Sequence, residues 1–245
     1  MIELEIKKLS FRTKQIWFSD HLYDDNDGCS AIDFRRCKLQ INHLGFNCNE
    51  EVTSVIDLTK DLDTIWSNMK KDSCRNSIKR AEKAGIVINQ DQGVDEFYNI
   101  YKKHFKAKGY LRFAEPVSIL SKCGKLFTAV YNGEILGGHV YLEDKDHIVY
   151  YRGATIITND KQLNTLKGNA SRLLHWEAIK YAKEKGIKEF DLGGLGLYHD
   201  SINAMKESFG GKRVTYYSYY KTYDRLYKIL IKLNAIAATA TSGGR

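Results

Sequence analysis

Two apolar runs, Leu126–Tyr131 and Ile135–Leu142, are joined by Asn132-Gly133. Asn-Gly between apolar runs specifies a tight hairpin, because both residues tolerate the positive φ angles that such a turn needs. His147–Arg152 follows as a third adjacent strand. After a polar loop, Asn169–Lys185 carries Ala170, Leu174, Ala178, Tyr181 and Ala182 on one helical face, and Lys183 and Lys185 lie in its last turn before Gly186. Lys188–Leu192 then reads as a strand. A hairpin running into strand–helix–strand demands a mixed sheet, with antiparallel pairs, one parallel crossover and helices on the faces.

The remaining segments extend this α/β pattern. Leu62, Ile65, Trp66 and Met69 repeat at helical spacing, and Ile78 and Ala81 continue after a break, with Thr59 as the expected N-cap and Gly85 as the stop. Ile86–Asn89 is a short strand, and Val94–Lys108 a helix ending at Gly109. Ser201–Ser208 reads as a short helix, Arg213–Tyr220 as a strand and Tyr223–Ile236 as an apolar-basic helix expected to pack Leu226, Ile229, Leu230 and Leu233 on the domain. Short alternating stretches such as Ser30–Leu39 and Val52–Asp57 give a small β-rich region over residues 1–57. The expected organisation is that region, an α/β unit over 58–236 and a flexible tail over 237–245.

At 245 residues the chain can bury a core without covalent staples. Its five cysteines, at positions 29, 37, 48, 74 and 123, include no C-x-x-C pair, and its seven histidines include no H-x-x-x-H pair. Free thiols and no metal are expected. MIELEIKKLSF carries charges throughout, unlike a signal peptide, and no stretch approaches the roughly 20 apolar residues of a membrane span, so a cytoplasmic location is expected. The net charge of +8 is clustered. Lys70, Lys71, Arg75, Lys79, Arg80 and Lys83 form one run; Lys102, Lys103, Lys106, Lys108 and Arg112 form a second; Lys212, Arg213, Lys221, Arg225, Lys228 and Lys232 form a third. Any one run could be a solvated helix face, but three together suit a phosphate-bearing partner: RNA, a nucleotide-linked substrate or an anionic membrane.

FDLGGLGLYHDSINAMKESFGG, residues 190–211, holds the unusual glycines. A dinucleotide fingerprint fails because His199 stands where the third glycine should be, and a phosphate loop fails because Lys206 replaces its first glycine.

The element order resembles the acyltransferase fold of the GNAT superfamily. That resemblance implies a splayed pair of central strands and a pyrophosphate site at a helix N-terminus, here Lys167-Gly168-Asn169-Ala170. Gly168 and Ala170 fit the superfamily signature, whereas Thr165 stands where Gln or Arg is usual. Residues 57–221 resemble more closely the Fem-type aminoacyl-tRNA-dependent transferases. The similar motifs are WSNMKKDSCRNSIKRAEKAG (66–85), LLHWEAIKYAKEKG (173–186), FDLGG (190–194) and Met205-Lys206 before Phe209-Gly210-Gly211. Met205 departs from the phenylalanine usual in the last of these. Only 57 residues precede the first matching helix, implying that the first Fem subdomain is reduced.

The resemblance implies a catalytic role for Lys206, holding an oxyanion or a phosphate, and places Asp191, Gly193 and Gly194 at the sheet opening. Asp191 is the second catalytic candidate, orienting an ammonium group there, with a cap on the next turn as its structural alternative. It implies diphosphate binding by Arg112 and substrate contacts for Arg75, Lys79, Arg80, Gly168 and Asn169, and Arg152, which closes the third strand with Gly153, is a further candidate substrate contact. His175 and His199 are candidate general bases, although His175, within an amphipathic helix, suits a structural place better. The expected activity is amide formation by direct amine attack, with no bound cofactor or metal. Aminoacyl-tRNA is the preferred donor, acyl-CoA the alternative. The expected acceptor is a nucleotide- or lipid-linked amine of an envelope precursor, with tRNA and the inner membrane face as further candidate partners. An acyl-CoA-dependent enzyme acting on an amino sugar or peptide stands as the close rival. A non-catalytic RNA- or membrane-binding module remains open as another class.

Overall fold

Asn132 and Gly133 both take positive φ, 52° and 82°, and the hairpin they close lies within one ten-stranded sheet. The computed structural model describes residues 1–8, 10–24, 26–42, 45–107, 124–196, 200–231 and 233. Four strands come first: β1 (Ile2–Lys8), β2 (Phe11–Trp17), β3 (Ala31–Cys37) and β4 (Asn47–Asp57). Then follow α1 (Leu62–Asn68), α2 (Asn76–Lys83), β5 (Val87–Gln90) and α3 (Val94–Ala107). The second half contains β6 (Lys125–Tyr131), β7 (Glu134–Glu143), β8 (His147–Thr155), α4 (Lys161–Glu184), β9 (Glu189–Gly194), α5 (Asp200–Glu207) and β10 (Lys212–Thr222). The strand order is β1-β2-β3-β10-β4-β9-β8-β7-β6-β5. Among the described strands, β8 and β9 run parallel, as the crossover through α4 requires, and β2 and β3 form a second parallel pair that the expected single crossover did not include.

The central strands are buried on both faces. One face packs Phe127, Ala129, Tyr141, Ile148 and Phe190 against Ile65, Ile78, Leu174, Ala178 and Ile179 from α1, α2 and α4. The other packs Leu126, Val140, Leu142, Val149 and Tyr151 against Phe97 and Tyr101 of α3 and against Leu4, Ile6 and Trp17 of the first hairpin. The sheet therefore curls until β1 and β2 lie over β7 and β8. Trp17 meets Tyr151 edge-on at 5.8 Å, and Phe18 stacks on His147 at 4.5 Å. A third cluster joins Ile16, Ile32, Phe34 and Tyr219.

Three local expectations are corrected. Asp61, not Thr59, caps α1: its carboxylate accepts from the Thr64 amide at 2.7 Å, while Thr59 bonds Asp57. The long helix begins at Lys161 rather than Asn169, because Asp160 Oδ1 accepts from the Gln162 and Leu163 amides at 2.7 and 3.0 Å. Gly168 and Asn169 consequently lie about two turns inside α4, with no exposed helix terminus at that point. Finally, residues 225–231 are helical, but Leu226, Ile229 and Leu233 remain 69%, 55% and 58% exposed instead of packing on the domain. The expected break between α1 and α2 is a single π turn, Lys71–Arg75, in which the Cys74 and Arg75 amides both bond the Lys70 carbonyl.

The Phe-Gly-Gly run is a packing device. Phe209 is buried beside His175, with ring centroids 5.4 Å apart. Gly210 has φ +77°, and a Cβ there would overlap the Asn68 carbonyl oxygen; one at Gly211 would lie 2.6 Å from Ser54 Oγ. Gly85 also has positive φ, +80°, but open space around it. Gly85→Ala should therefore cost about 1–2 kcal/mol, the left-handed penalty alone. Gly210→Ala should cost about 2–5 kcal/mol because overpacking is added. Thermal melts of the two variants separate these contributions, and equal losses would contradict the contact with Asn68.

Candidate active site in the opening between β8 and β9

β8 and β9 pair only through His147–Glu189, Ile148–Phe190 and Val149–Asp191. Beyond that point β8 continues beside β7 to Thr155, while β9 stays paired with β4 alone. A bulge produces the divergence. Thr53 pairs with Gly194 and Val55 with Asp191, so β9 carries one extra residue, and Gly193 absorbs it at φ +83°. Asp191 Oδ1 fixes the bend by accepting from the Gly193 amide at 2.7 Å.

α5 delivers Lys206 into this opening. Asn203 ties the segment after β9 to α5, its side chain accepting from the Gly196 amide at 3.1 Å and donating to the Gly196 carbonyl at 2.6 Å. Lys206 is 7% exposed, and its Nζ donates to the Gly194 carbonyl at 2.7 Å. A Cβ on Gly193 would lie 3.4 Å from both Lys206 Nζ and the Tyr150 carbonyl oxygen. Glycine thus serves twice here, permitting the positive φ and leaving room for the lysine. Burial brings the Lys206 pKa from 10.5 down to about 8; Asp191 opposes the fall and Arg36 reinforces it.

Arg36 is the residue that sequence reasoning missed. It sits in a bulge of β3 opposite Tyr217–Tyr219 of β10, with φ 61° and 5% exposure. Its Nε donates to Asp191 Oδ2 at 2.6 Å, and its Nη1 reaches the Glu51 carboxylate. The guanidinium also lies over the Tyr216 ring at 5.7 Å. Burial works against its charge, but Asp191 and Glu51 outweigh that effect and raise its pKa. No alternation marked it in the sequence: Ile32 and Phe34 share their face with Cys37, and the bulge turns Arg36 to the opposite face, beside Trp17 and Tyr216. A buried guanidinium demands a buried carboxylate somewhere in the fold.

Beneath the opening runs a buried polar chain. Ser171 Oγ meets His139 Nε2 at 3.2 Å, His139 Nδ1 meets the Tyr141 hydroxyl at 3.2 Å, and that hydroxyl meets His175 Nδ1 at 2.8 Å. Burial lowers the His139 pKa to about 3, and burial, His139, Lys206 and Arg172 hold His175 well below its ordinary value. Both imidazoles are neutral at physiological pH. His175, a sequence candidate for general base, lies wholly inside the core.

The structure brings Lys206, Asp191, Gly193 and Gly194 together. Arg75, on the π turn, is half-buried with its Nε enclosed and without a partner among the described residues; Lys79 and Arg80 on α2 are exposed. Arg152 lies further along β8, its Nη1 donating to the Tyr151 carbonyl at 2.9 Å and its guanidinium 4.2 Å from the Tyr151 ring centre. The Gly168 carbonyl accepts from Arg172 Nη1 at 2.9 Å within α4, whose interior also holds Asn169. Arg112 and His199 lie outside the described residues. Among the described residues there is no group of acidic, histidine or cysteine side chains able to hold a metal ion, and no helix long and apolar enough to cross a membrane. The opening can therefore offer a buried amine that exchanges its proton near neutrality, beside a strand end at which Gly194 faces open space.

A family profile described as "Acetyltransferase (GNAT) domain" matches residues 68–201. No curated protein matches the sequence. Among solved structures, FemX is similar over 94% of this chain and 85% of its own, with a TM-score of 0.59 and 14% identity. L-PGS from Bacillus licheniformis is similar over 96% of this chain and 85% of its own, with a TM-score of 0.58 and 12% identity. At these identities the similarity is one of fold, and the resemblance to the Fem-type branch is borne out at that level.

Proposed function

Because the chain belongs to the GNAT acetyltransferase-domain family, we propose that it forms amide bonds in the β8–β9 opening, moving an aminoacyl group from aminoacyl-tRNA to a primary amine of a nucleotide- or lipid-linked envelope precursor. Lys206 is the group that contacts the reacting carbonyl, and the open space beside Gly194 is where the substrate enters.

The observation that carries the choice of donor is the capping of α4. A free helix N-terminus attracts a pyrophosphate through unpaired amides and a positive dipole end. Here Asp160 already accepts from the Gln162 and Leu163 amides, and its negative charge would repel a coenzyme A pyrophosphate. Two arginines elsewhere suit the phosphates of a nucleic-acid donor. Arg75 Nε is enclosed without a partner among the described residues, and Arg172 bonds only the Ser73 and Gly168 carbonyls among them, at 2.6 and 2.9 Å. The exposed Leu226, Ile229 and Leu233, alternating with Arg225 and Lys228, support contact with an anionic lipid surface near a lipid-linked acceptor.

The test supplies radiolabelled aminoacyl-tRNA or radiolabelled acetyl-CoA with a nucleotide-linked peptide that carries a lysine amine. The proposal expects label in the peptide from charged tRNA. Transfer from acetyl-CoA alone would establish the acyl-CoA reading instead.

A further inference from the structure

We infer that Lys206 is the proton-transfer group of the reaction and that Arg36, contributed by β3, keeps it available by holding Asp191 away from it. The chemical step rests on the transferase reading above; the electrostatic arrangement does not.

The geometry of Asp191 is the starting point. Asp191 is the carboxylate closest to Lys206 in electrostatic terms, yet the two form no ion pair. Both oxygens of Asp191 are engaged by other donors: Oδ2 by Arg36 Nε at 2.6 Å, and Oδ1 by the Gly193 amide at 2.7 Å. Lys206 Nζ is left with a neutral acceptor, the Gly194 carbonyl at 2.7 Å. A lysine bonded to a carboxylate would stay an ammonium and could not accept a proton. A buried lysine bonded to a carbonyl, with a guanidinium behind the nearby carboxylate, loses its proton far more readily.

The other groups around Lys206 leave this balance to Arg36 and Asp191. His175 on α4 is neutral, and Tyr150 on β8 has its hydroxyl pushed up to about 12 by burial. Glu51 on β4 is engaged with Arg36 Nη1. Burial brings Lys206 itself to about 8, so a useful fraction is neutral amine at physiological pH.

The step balances without a further reactant. The acceptor amine attacks the ester carbonyl, forming the C–N bond and a tetrahedral oxyanion with a protonated nitrogen. Neutral Lys206 takes that proton and becomes an ammonium beside the oxyanion. As the C–O bond to the ribose breaks, Lys206 returns the proton to the leaving oxygen and is neutral again. Lys206 is thus a catalytic residue, and Arg36 and Asp191 are positioning residues.

The experiment is an NMR titration of protein labelled at the lysine Cε, with Lys206 assigned by its absence in Lys206→Met. It requires neither donor nor acceptor, so it can fail while the transferase reading stands, and the reverse. Arg36→Gln should raise the Lys206 midpoint by about 1 pH unit or more, because a repulsive charge is lost and Asp191 is freed to pair with the lysine. Asp191→Asn should lower it. The acidic limb of kcat/KM against pH should move with the lysine in each variant. At pH 7, Arg36→Gln should lose about tenfold in rate for every pH unit by which its midpoint rises. Arg36→Lys, which keeps the charge, should retain most of the wild-type midpoint. A purely structural role would lower the rate at every pH without opposite displacements of the limb. If Arg36→Gln does not fold, the lowered midpoint in Asp191→Asn remains the test. Unchanged midpoints, or displacements of the same sign in Arg36→Gln and Asp191→Asn, would overturn the inference.

Discussion

Lys206→Met should lower kcat/KM for the proposed acyl transfer about 10²–10⁴-fold, the range expected for a proton-transfer group that also faces the oxyanion. Methionine keeps the length and apolar stem of lysine, so the packing of α5 against β9 is retained. The variant should be no less stable than the parent at pH 7. The sign follows from linkage: Lys206 titrates near 8 when folded, against an ordinary value of 10.5. Below pH 8 both states carry the proton, and the folded state bears the full cost of the buried charge. Between pH 8 and 10.5 the unfolded chain binds more protons, so wild-type stability gains from this group as pH rises. Lys206→Met removes that gain. Chemical denaturation at pH 7 and pH 10 measures it, and full transfer activity in the variant would remove Lys206 from the chemistry.

Asp191→Ala carries the second large effect, on stability. The substitution removes the acceptor of the Gly193 amide and one of the two carboxylates around a guanidinium that is 5% exposed. Breaking one side of a buried pair costs about 3–5 kcal/mol, because the remaining charge stays buried. For a chain of this size that is a fall of roughly 6–20 °C in Tm. Arg36→Met added to Asp191→Ala should recover part of the loss, since the uncompensated cation is then gone and Glu51 is partly exposed. A double variant whose loss equals the sum of the single losses would show that the two side chains do not act together.

The sequence was most informative where local chemistry decides the structure. Asn132-Gly133 set a hairpin because few other residue pairs accept two positive φ angles. Gly193 and Lys206 were legible as a pair of unusual features, a glycine-rich strand end and a lysine before Phe-Gly-Gly, although only the fold shows the lysine bonding that strand end, at the Gly194 carbonyl. Arg36 was illegible because its partner lies 155 residues away, across a sheet that curls back on itself. The start of α4 was misplaced because Gly168 looks like a boundary, whereas the carboxylate of Asp160 starts the helix and Gly168 is tolerated within it. The residues 225–231 show a different limit. Periodicity identifies an amphipathic helix, but it does not say what covers the apolar side, and here Leu226 and Ile229 stay exposed.

The proposed reaction forms an amide from an aminoacyl-tRNA donor beside the buried lysine of the β8–β9 opening. The most direct measurement is the initial rate of label transfer into an amine-bearing nucleotide-linked peptide, with charged tRNA and acetyl-CoA compared side by side. Charged tRNA should support transfer that is unaffected by excess coenzyme A and is lost in Lys206→Met. Transfer from acetyl-CoA, with charged tRNA inert, would overturn the proposed donor and assign the opening to a thioester.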